Sequence, residues 1–287
     1  MRVPYAELLG ARTARLGTVL CLGLDPDPAA LPLGYPPTAA GIERFAALVL
    51  DAALPHAVAV KPNLAFFEAL GSPGLAALER LRARIPVEVP VVIDAKRGDI
   101  GSTTARHATA LFDVLAADAV TASPYLGAEA LEPLLARAGR CVYVLCRTSN
   151  RGADELQGGS VAPEPALGWP AEPLYVRVAR RATLWQARFG TVGLVVAATA
   201  PSELALVREV APELPFLVPG VGAQGGDVAV VRGLGPAAQG PWAGLPGGGL
   251  LVNVSRGIAA AALGADDPGE ALARAAAGWA AQLAVLP

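Results

Sequence analysis

Lysine is nearly absent from this chain. Its 23 basic residues include only two lysines, Lys61 and Lys96, and the rest are arginines. A guanidinium stays charged and planar, whereas an ammonium is compact, can be desolvated and can give up a proton. A position that keeps lysine against this background is expected to need that chemistry. Both lysines are therefore candidate functional residues before any motif is considered.

Cysteine, excess charge and long apolar runs are also scarce, and each scarcity excludes a class of protein. Three cysteines (Cys21, Cys141 and Cys146) without metal-ligand spacing predict reduced core residues and argue against a disulfide framework. A net charge of −2 leaves no electrostatic footprint for nucleic acid. No run is long enough to cross a membrane, and the first residues lack a signal-peptide core. We expect a cytoplasmic protein without nucleic-acid or membrane partners.

Apolar, strand-like runs alternate with helical patterns along the whole sequence. Strand candidates lie near residues 18, 56, 88, 118, 140, 191, 214 and 250, each followed by a helical pattern. This alternation favours an α/β fold with one (β/α)8 TIM barrel over residues 1–287, although one miscounted strand would allow a doubly wound sheet. Gly- and Pro-rich stretches at 152–173 and 235–249 are predicted as long loops, the second opposite the active site. The helical pattern at 174–190 predicts these inward residues: Leu174, Val178, Thr183 and Trp185.

The most informative stretch is DAKRGDIGST, residues 94–103. It follows a β-branched run, so Asp94 lies at the end of a predicted strand, and alternation places Lys96 on the same side. Asp99 follows in a glycine-containing loop. In isolation this pattern is readily explained by a salt bridge beside a turn. Barrel enzymes, however, place their chemistry at the carboxyl ends of strands, which makes the same residues candidate catalytic groups.

Other predicted strand ends also carry polar residues. In chain order they are Asp25, Lys61, Asp94 with Lys96, Ser123 with Tyr125, Thr148-Ser149-Asn150, Thr199, 220–227 and 255–257. The last two contain a Gly-rich turn before a helix and the sequence SRG. Backbone N–H groups of such a turn, together with Arg256, are typical of the phosphate site that barrels place after their last two strands.

These motifs together resemble the orotidine 5′-phosphate decarboxylases, in the bacterial branch with longer chains (type 2). The matching stretches are LGLDPD, KPN with FFE, DAKRGDIGST, CRTSN, PGVGAQGGD and SRG. The resemblance covers nearly the whole predicted barrel. It implies a carboxy-lyase that converts orotidine 5′-phosphate to UMP, the last step of de novo pyrimidine nucleotide synthesis, without metal or cofactor. Arg151, where proline is frequent, and Ser255, where glycine is frequent, depart from common family variants.

The resemblance also implies catalytic roles. An alternating charge network around the reacting carbon would be formed by Lys61, Asp94, Lys96 and Asp99. Lys96 would stabilise the carbanion and donate the proton. The family pattern further implies a homodimer with shared active sites. The neighbouring subunit would then supply Asp99, Ile100 and Thr103.

Substrate-binding roles follow from the same resemblance. Asp25 and Lys61 would hold ribose hydroxyls, and Ser149 would hydrogen-bond the pyrimidine. Gln224 would bridge the base and the phosphate. Arg256 and the Ser255 turn would bind the phosphate.

Two alternatives remain open from the sequence. A Mg²⁺-dependent sugar-phosphate enzyme, such as a 3-keto-gulonate-phosphate decarboxylase or a hexulose-phosphate synthase, shares the D-x-K-x-x-D pattern. Those enzymes resemble metal-dependent enzymes with an acid at the second strand end that helps to hold Mg²⁺. This chain has Lys61 at that position, which argues against a divalent cation. A non-catalytic nucleotide-phosphate sensor could use the same barrel, but it would have little reason to keep its two lysines at strand ends. Decarboxylation of orotidine 5′-phosphate is therefore the favoured interpretation.

Overall fold

Eight parallel strands form the centre of the fold, and helices alternate with them. The computed structural model describes residues 3–190, 192–222 and 225–285. Its strands are Leu20–Leu24 (β1), Ala59–Pro62 (β2), Val92–Arg97 (β3), Ala119–Ala122 (β4), Cys141–Arg147 (β5), Ser160–Val161 (β6), Glu172–Pro173 (β7), Val192–Val196 (β8), Phe216–Val218 (β9) and Leu251–Val254 (β10). Its helices are Tyr5–Leu16 (α1), Ala39–Ala53 (α2), Leu64–Glu68 (α3), Gly71–Arg84 (α4), Gly101–Ala108 (α5), Ala128–Leu135 (α6), Ala153–Leu156 (α7), Leu174–Phe189 (α8), Pro201–Val210 (α9), Val228–Leu234 (α10), Gly240–Ala243 (α11), Arg256–Ala259 (α12) and Pro268–Gln282 (α13). None of these helices is long and apolar enough to span a bilayer.

The large sheet closes on itself. Its strand order is β2-β1-β10-β9-β8-β5-β4-β3. The terminal strands β2 and β3 meet through isolated parallel bridges, Val60 with Val91 and Asn63 with Asp94. An open doubly wound sheet would leave two free edges, so this closure confirms the (β/α)8 TIM barrel.

The lower half of the barrel interior is filled by apolar side chains. Cys21, Val92 and Leu251 are fully buried there, together with Tyr143 of β5. Tyr5 of α1 closes the amino-terminal end, and its hydroxyl lies 2.8 Å from the Tyr143 hydroxyl in a buried hydrogen bond. Because this end is filled, a ligand cavity inside the barrel is expected at the carboxyl ends of the strands.

The outer faces of the strands pack against the helices. In α2, apolar residues at helical spacing form a core face and are buried: Ile42, Phe45, Ala46 and Leu50. The three cysteines are also buried and unpaired. Burial raises the pKa of each thiol, that of Cys21 to about 12, so these residues are the reduced core cysteines predicted from the sequence.

Residues 152–173, here called the excursion, have structure of their own. They contain α7 and the antiparallel pair of β6 and β7. Arg177 of α8 anchors this segment, since its Nε donates to Glu172 Oε1 at 2.7 Å. Its guanidinium also lies 5.4 Å from the ring centroid of Trp169. A buried cation held by a carboxylate and an aromatic face ties the excursion to α8.

The buried face of α8 agrees only in part with the prediction. The residues below 9 % exposure are Tyr175, Val176, Arg177, Ala179 and Ala182. The four predicted residues (Leu174, Val178, Thr183 and Trp185) are partly buried. Of these, Val178 and Trp185 pack against the core, as predicted. The physical reason for the difference is the excursion, which covers Arg177 and so buries a residue that hydropathy alone places in solvent.

Residues 235–249 pack beneath the barrel, at the amino ends of the strands. Trp242 of α11 is buried, with its ring centroid 6.1 Å from that of Tyr5. Gly249 has φ +70°, and a Cβ there would lie 2.4 Å from the Trp242 ring. Glycine is therefore required at this close approach.

Candidate active site

A cavity of about 490 Å³ opens at the carboxyl ends of the barrel strands. Seven of the catalytic and substrate-binding residues implied by the family resemblance line it: Asp25, Lys61, Asp94, Lys96, Ser149, Ser255 and Arg256. They come from or directly follow β1, β2, β3, β5 and β10, so the closed sheet brings distant segments to one site. Gln224 lies outside the described residues.

Asp94 joins the two lysines. Its Oδ2 accepts a hydrogen bond from Lys61 Nζ at 2.8 Å, and its Oδ1 accepts one from Lys96 Nζ at 2.6 Å. Lys61 Nζ also lies 4.0 Å from Asp25 Oδ1. Acid and base thus alternate in the order Asp25, Lys61, Asp94, Lys96 across the floor and mouth of the cavity.

The paired charges remain ionised although they are largely buried. Burial by itself would lower the pKa of Lys61, but the charges of Asp25 and Asp94 outweigh it and hold that pKa above its ordinary value. Burial would likewise raise the pKa of Asp94, but the two ammonium groups hold it well below its usual range. At neutral pH the cavity therefore contains a buried ion pair of the Asp94 carboxylate and the Lys61 ammonium.

Lys96 has an unusual backbone conformation. Its φ is +49°, in the left-handed region that residues other than glycine seldom occupy. The pairing register of β3 with β4 shifts between Ile93 and Arg97, so Lys96 lies in a β-bulge. Its ammonium contacts Asp94, as expected, but a bulge and not simple strand alternation brings it there. About half of its side chain is exposed, which leaves the ammonium accessible from the cavity.

Thr121 of β4 is a site residue that sequence reasoning missed. It lines the cavity and is 1 % exposed. Its hydroxyl donates to Asp94 Oδ1 at 2.8 Å and accepts from the Lys96 backbone N–H at 2.9 Å. The predicted strand end lay two residues later, at Ser123, whereas β4 ends at Ala122 and Tyr125 is exposed. The signal available in the sequence was the threonine inside the apolar run DAVTA.

The loop after β5 presents Ser149 to the cavity and is held by the excursion. Gln157 Oε1 accepts from the Thr148 N–H at 2.9 Å, and Gln157 Nε2 donates to Thr148 Oγ1 at 2.7 Å. Thr148 Oγ1 in turn donates to Asn150 Oδ1 at 2.6 Å. The predicted pyrimidine-binding loop is therefore braced by a side chain from outside its own motif, which no local pattern indicates.

The predicted phosphate end combines two neighbouring strand ends. Ser255 and Arg256 follow β10, and Gly220 with Val221 follows β9; all four line the cavity. Gly23 of β1 makes room for this turn, because a Cβ there would lie 2.6 Å from Ser255 Cβ. The site thus has a cationic side chain and backbone turns at the end where a phosphate is expected.

Asp99, Ile100 and Thr103 are not among the described residues that line the cavity of their own chain. Thr104 braces this loop, since its hydroxyl donates to the Asp99 carbonyl at 2.7 Å. Ile100 is 59 % exposed, at the start of α5 just beyond β3. The loop therefore places a carboxylate and an apolar side chain outside their own site.

Comparison with known proteins agrees with the geometry. Residues 18–275 match the model of the family described as "Orotidine 5'-phosphate decarboxylase / HUMPS family". The orotidine 5′-phosphate decarboxylase of Thermomicrobium roseum is 47 % identical over 256 residues, which are 88 % of this chain and 86 % of that protein. That of Verminephrobacter eiseniae is 44 % identical over 278 residues, 94 % and 95 % of the two chains.

Solved structures show the same relationship. The OMP decarboxylase of Leishmania donovani superposes with a TM-score of 0.79 at 38 % identity, and the match covers 98 % of both chains. Leishmania donovani UMP synthase gives a TM-score of 0.81 at 40 % identity, over 98 % of this chain and 56 % of that longer one. By sequence match and by fold, the chain belongs to the orotidine 5′-phosphate decarboxylase/HUMPS family.

Proposed function

We propose that this chain decarboxylates orotidine 5′-phosphate to UMP, with the Lys96 ammonium as the proton donor. The observation that carries the proposal is the Asp25–Lys61–Asp94–Lys96 network in a cavity that also holds Arg256. It supplies fixed charges at one end and a phosphate-binding group at the other. Relatives of 42–47 % identity bear the name of this activity, which supports the same substrate here.

The reaction demands stabilisation of negative charge at one carbon. When the bond between C6 and the carboxyl group breaks, carbon dioxide leaves and the electron pair stays on C6. The pyrimidine ring delocalises this vinyl carbanion poorly, so an adjacent cation must stabilise it. The Lys96 ammonium then transfers a proton from Nζ to C6, and the neutral amine regains a proton from solvent.

Asp94 orients that ammonium and would lie beside the carboxylate of the bound substrate. Two like charges about 4 Å apart at an effective dielectric near 20 repel by roughly 4 kcal/mol, so Asp94 opposes the bound ground state. We assign the larger share of the rate to preorganised stabilisation of the carbanion, because the network fixes Lys96 before reaction. Lys61 holds Asp94 in place from the opposite oxygen.

The rest of the nucleotide is bound by the remaining cavity residues. Asp25 Oδ1 and Asn253 Oδ1 are buried acceptors without a hydrogen-bond donor among the described residues, which suits them to the hydroxyls of a ribose. Ser149 reaches the pyrimidine, and Arg256 with the Ser255 turn binds the phosphate. Binding energy from these remote groups contributes to the rate of the chemical step as well as to affinity.

We further propose that two copies share their active sites in a cytoplasmic homodimer. Asp99, Ile100 and Thr103 lie outside their own cavity, as groups that serve a neighbour would. Apolar side chains are exposed at the same end of the barrel, with Ile100 at 59 %, Tyr125 at 79 % and Leu126 at 49 %. Such a patch beside an active site is suited to association with a second copy.

The direct test is an ultraviolet assay of orotidine 5′-phosphate loss, with and without EDTA. We expect the same turnover in both, because Lys61 occupies the second strand end where the metal-dependent sugar-phosphate enzymes carry an acid. Strict dependence on Mg²⁺ would contradict the proposal and favour that alternative. Binding of UMP without any turnover would favour a nucleotide-phosphate sensor.

A further inference from the structure

The hydroxyl of Thr121 connects the two groups on which the proposed chemistry depends. It accepts a hydrogen bond from the Lys96 backbone N–H, with 2.9 Å between the two heavy atoms. It donates its own proton to Asp94 Oδ1, at 2.8 Å. A hydroxyl has one proton, so acceptance from the backbone and donation to the carboxylate together fix its orientation.

Lys96 needs such support because its backbone is strained. A left-handed φ is unfavourable at a residue with a side chain and persists only where the surroundings hold it. The bulge between Ile93 and Arg97 also interrupts the ladder to β4. Thr121 Oγ1 replaces the ladder acceptor for the Lys96 N–H at this interruption.

The same hydroxyl acts on the carboxylate that aims the ammonium. Asp94 Oδ1 receives both Lys96 Nζ and Thr121 Oγ1, at 2.6 and 2.8 Å. Lys61 Nζ takes the other oxygen. The two Asp94 oxygens therefore accept three hydrogen bonds, which fix the orientation of the carboxylate. Two of the donors are charged ammonium groups and the third is the neutral Thr121 hydroxyl.

We propose that Thr121 is a positioning residue for catalysis: its hydroxyl holds the Lys96 bulge and the Asp94 carboxylate in one arrangement. This inference rests on the proposed function for its kinetic consequence. Its structural consequence is independent of the proposed function, because the backbone conformation of Lys96 can be determined without substrate.

Thr121→Val removes the hydroxyl and keeps the shape of the side chain. We expect kcat for orotidine 5′-phosphate to fall roughly 10- to 100-fold, the loss that follows from a misplacement of about 1 Å at a reacting group. KM should change less than about threefold, because phosphate and ribose are bound elsewhere in the cavity. Thr121→Ser, which keeps the hydroxyl, should recover most of the lost kcat.

The matched control is Thr18→Val at the opposite end of the barrel. Thr18 is also 1 % exposed, and its hydroxyl donates to the carbonyls of Ala280 and Leu283 at 3.0 and 3.2 Å. This variant should lose a similar amount of thermal stability and keep its kcat. If Thr121→Val does not fold, Thr121→Ala compared with Thr121→Ser carries the same test.

Two kinetic results would overturn the inference. One is a folded Thr121→Val enzyme with kcat near that of the parent, and the other is a Thr121→Ser enzyme as slow as the valine variant. A crystal structure of Thr121→Val adds an independent readout, in which we expect Lys96 to leave the left-handed region. Unchanged Lys96 and Asp94 geometry there would refute the positioning role. Inactivity of the parent chain on orotidine 5′-phosphate would instead refute the proposed function.

Discussion

Lys96 combines half-exposure, a strained backbone and an ion pair in one residue. Its side chain is 51 % exposed, its φ is +49°, and Asp94 holds its ammonium at 2.6 Å. Backbone strain of this kind persists only where neighbouring groups hold the residue in place, and strained residues are concentrated at functional sites. An ammonium fixed this way can stabilise charge as it forms, with little rearrangement at the moment of reaction.

The Lys96→Ala variant tests the role proposed for this residue most directly. We expect turnover of orotidine 5′-phosphate to fall by at least about a thousandfold, because both the counter-charge and the proton donor are removed. Binding of UMP, measured by calorimetry, should survive through the phosphate and ribose contacts. Arg84→Ala, which removes a cation from an exposed pair with Asp51, is the control and should remain active. Appreciable turnover by Lys96→Ala would disprove its assigned role.

Residue chemistry explains which site residues could be predicted from the sequence. The scarcity of lysine singled out Lys61 and Lys96, and both line the cavity. Thr121 could not be predicted in the same way, because threonine is common in strands and the predicted end of β4 lay beyond it. The left-handed bulge at Lys96 was equally hidden, since nothing in DAKRGD requires a positive φ at a lysine.

The excursion is the element whose role the structure changes most. A Gly- and Pro-rich segment would ordinarily be a variable surface loop. Here Gln157 makes two hydrogen bonds to Thr148, and Arg177 anchors the far end through Glu172. The segment therefore runs from a structural anchor on α8 to the loop that carries Ser149.

Gln157→Leu tests that connection. We expect KM for orotidine 5′-phosphate to rise roughly 5- to 10-fold, because the variant lacks the two hydrogen bonds that hold the Ser149 loop. Each such bond contributes about 1 kcal/mol of net stabilisation. The melting temperature should change little, since the two hydrogen bonds lie at the cavity and are only part-buried. Glu155→Ala, an exposed change in the same segment, is the control. Unaltered KM in Gln157→Leu would show that the excursion does not brace the site.

The elements themselves were largely predictable, and their packing was not. All eight barrel strands and the core face of α2 follow from apolar periodicity, which local sequence carries directly. The buried face of α8 follows only in part, because Arg177 is buried through contacts with the excursion, among them those with Glu172 and Trp169. Those partners lie in the excursion, so the interaction that decides the face of α8 is tertiary.

At the scale of the whole molecule, the proposed homodimer makes a quantitative prediction. If Asp99 serves the neighbouring subunit, a hybrid of Lys96→Ala and Asp99→Ala chains has one doubly defective site and one intact site. Equal mixing with free subunit exchange makes half of all dimers hybrids. We therefore expect recovery of roughly a quarter of the parent activity.

The control for that experiment comes from the other lysine. Lys61 and Lys96 line the cavity of the same chain, so a Lys61→Ala and Lys96→Ala hybrid has a defect in each site and should stay inactive. Subunit exchange is verified with two differently tagged chains and native mass spectrometry. No recovery in the Lys96→Ala and Asp99→Ala mixture, despite exchange, would refute the shared site.

The distribution of lysine has a consequence for the chemical reactivity of the whole chain. Reagents that acylate or reductively alkylate proteins act on exposed side-chain amines, which most proteins carry in large numbers over their surface. Here the Lys61 side chain is 5 % exposed and the Lys96 side chain 51 %. An amine-directed reagent therefore meets one accessible lysine, at the mouth of the cavity. Under the role proposed for Lys96, covalent labelling of lysine and inactivation become the same event.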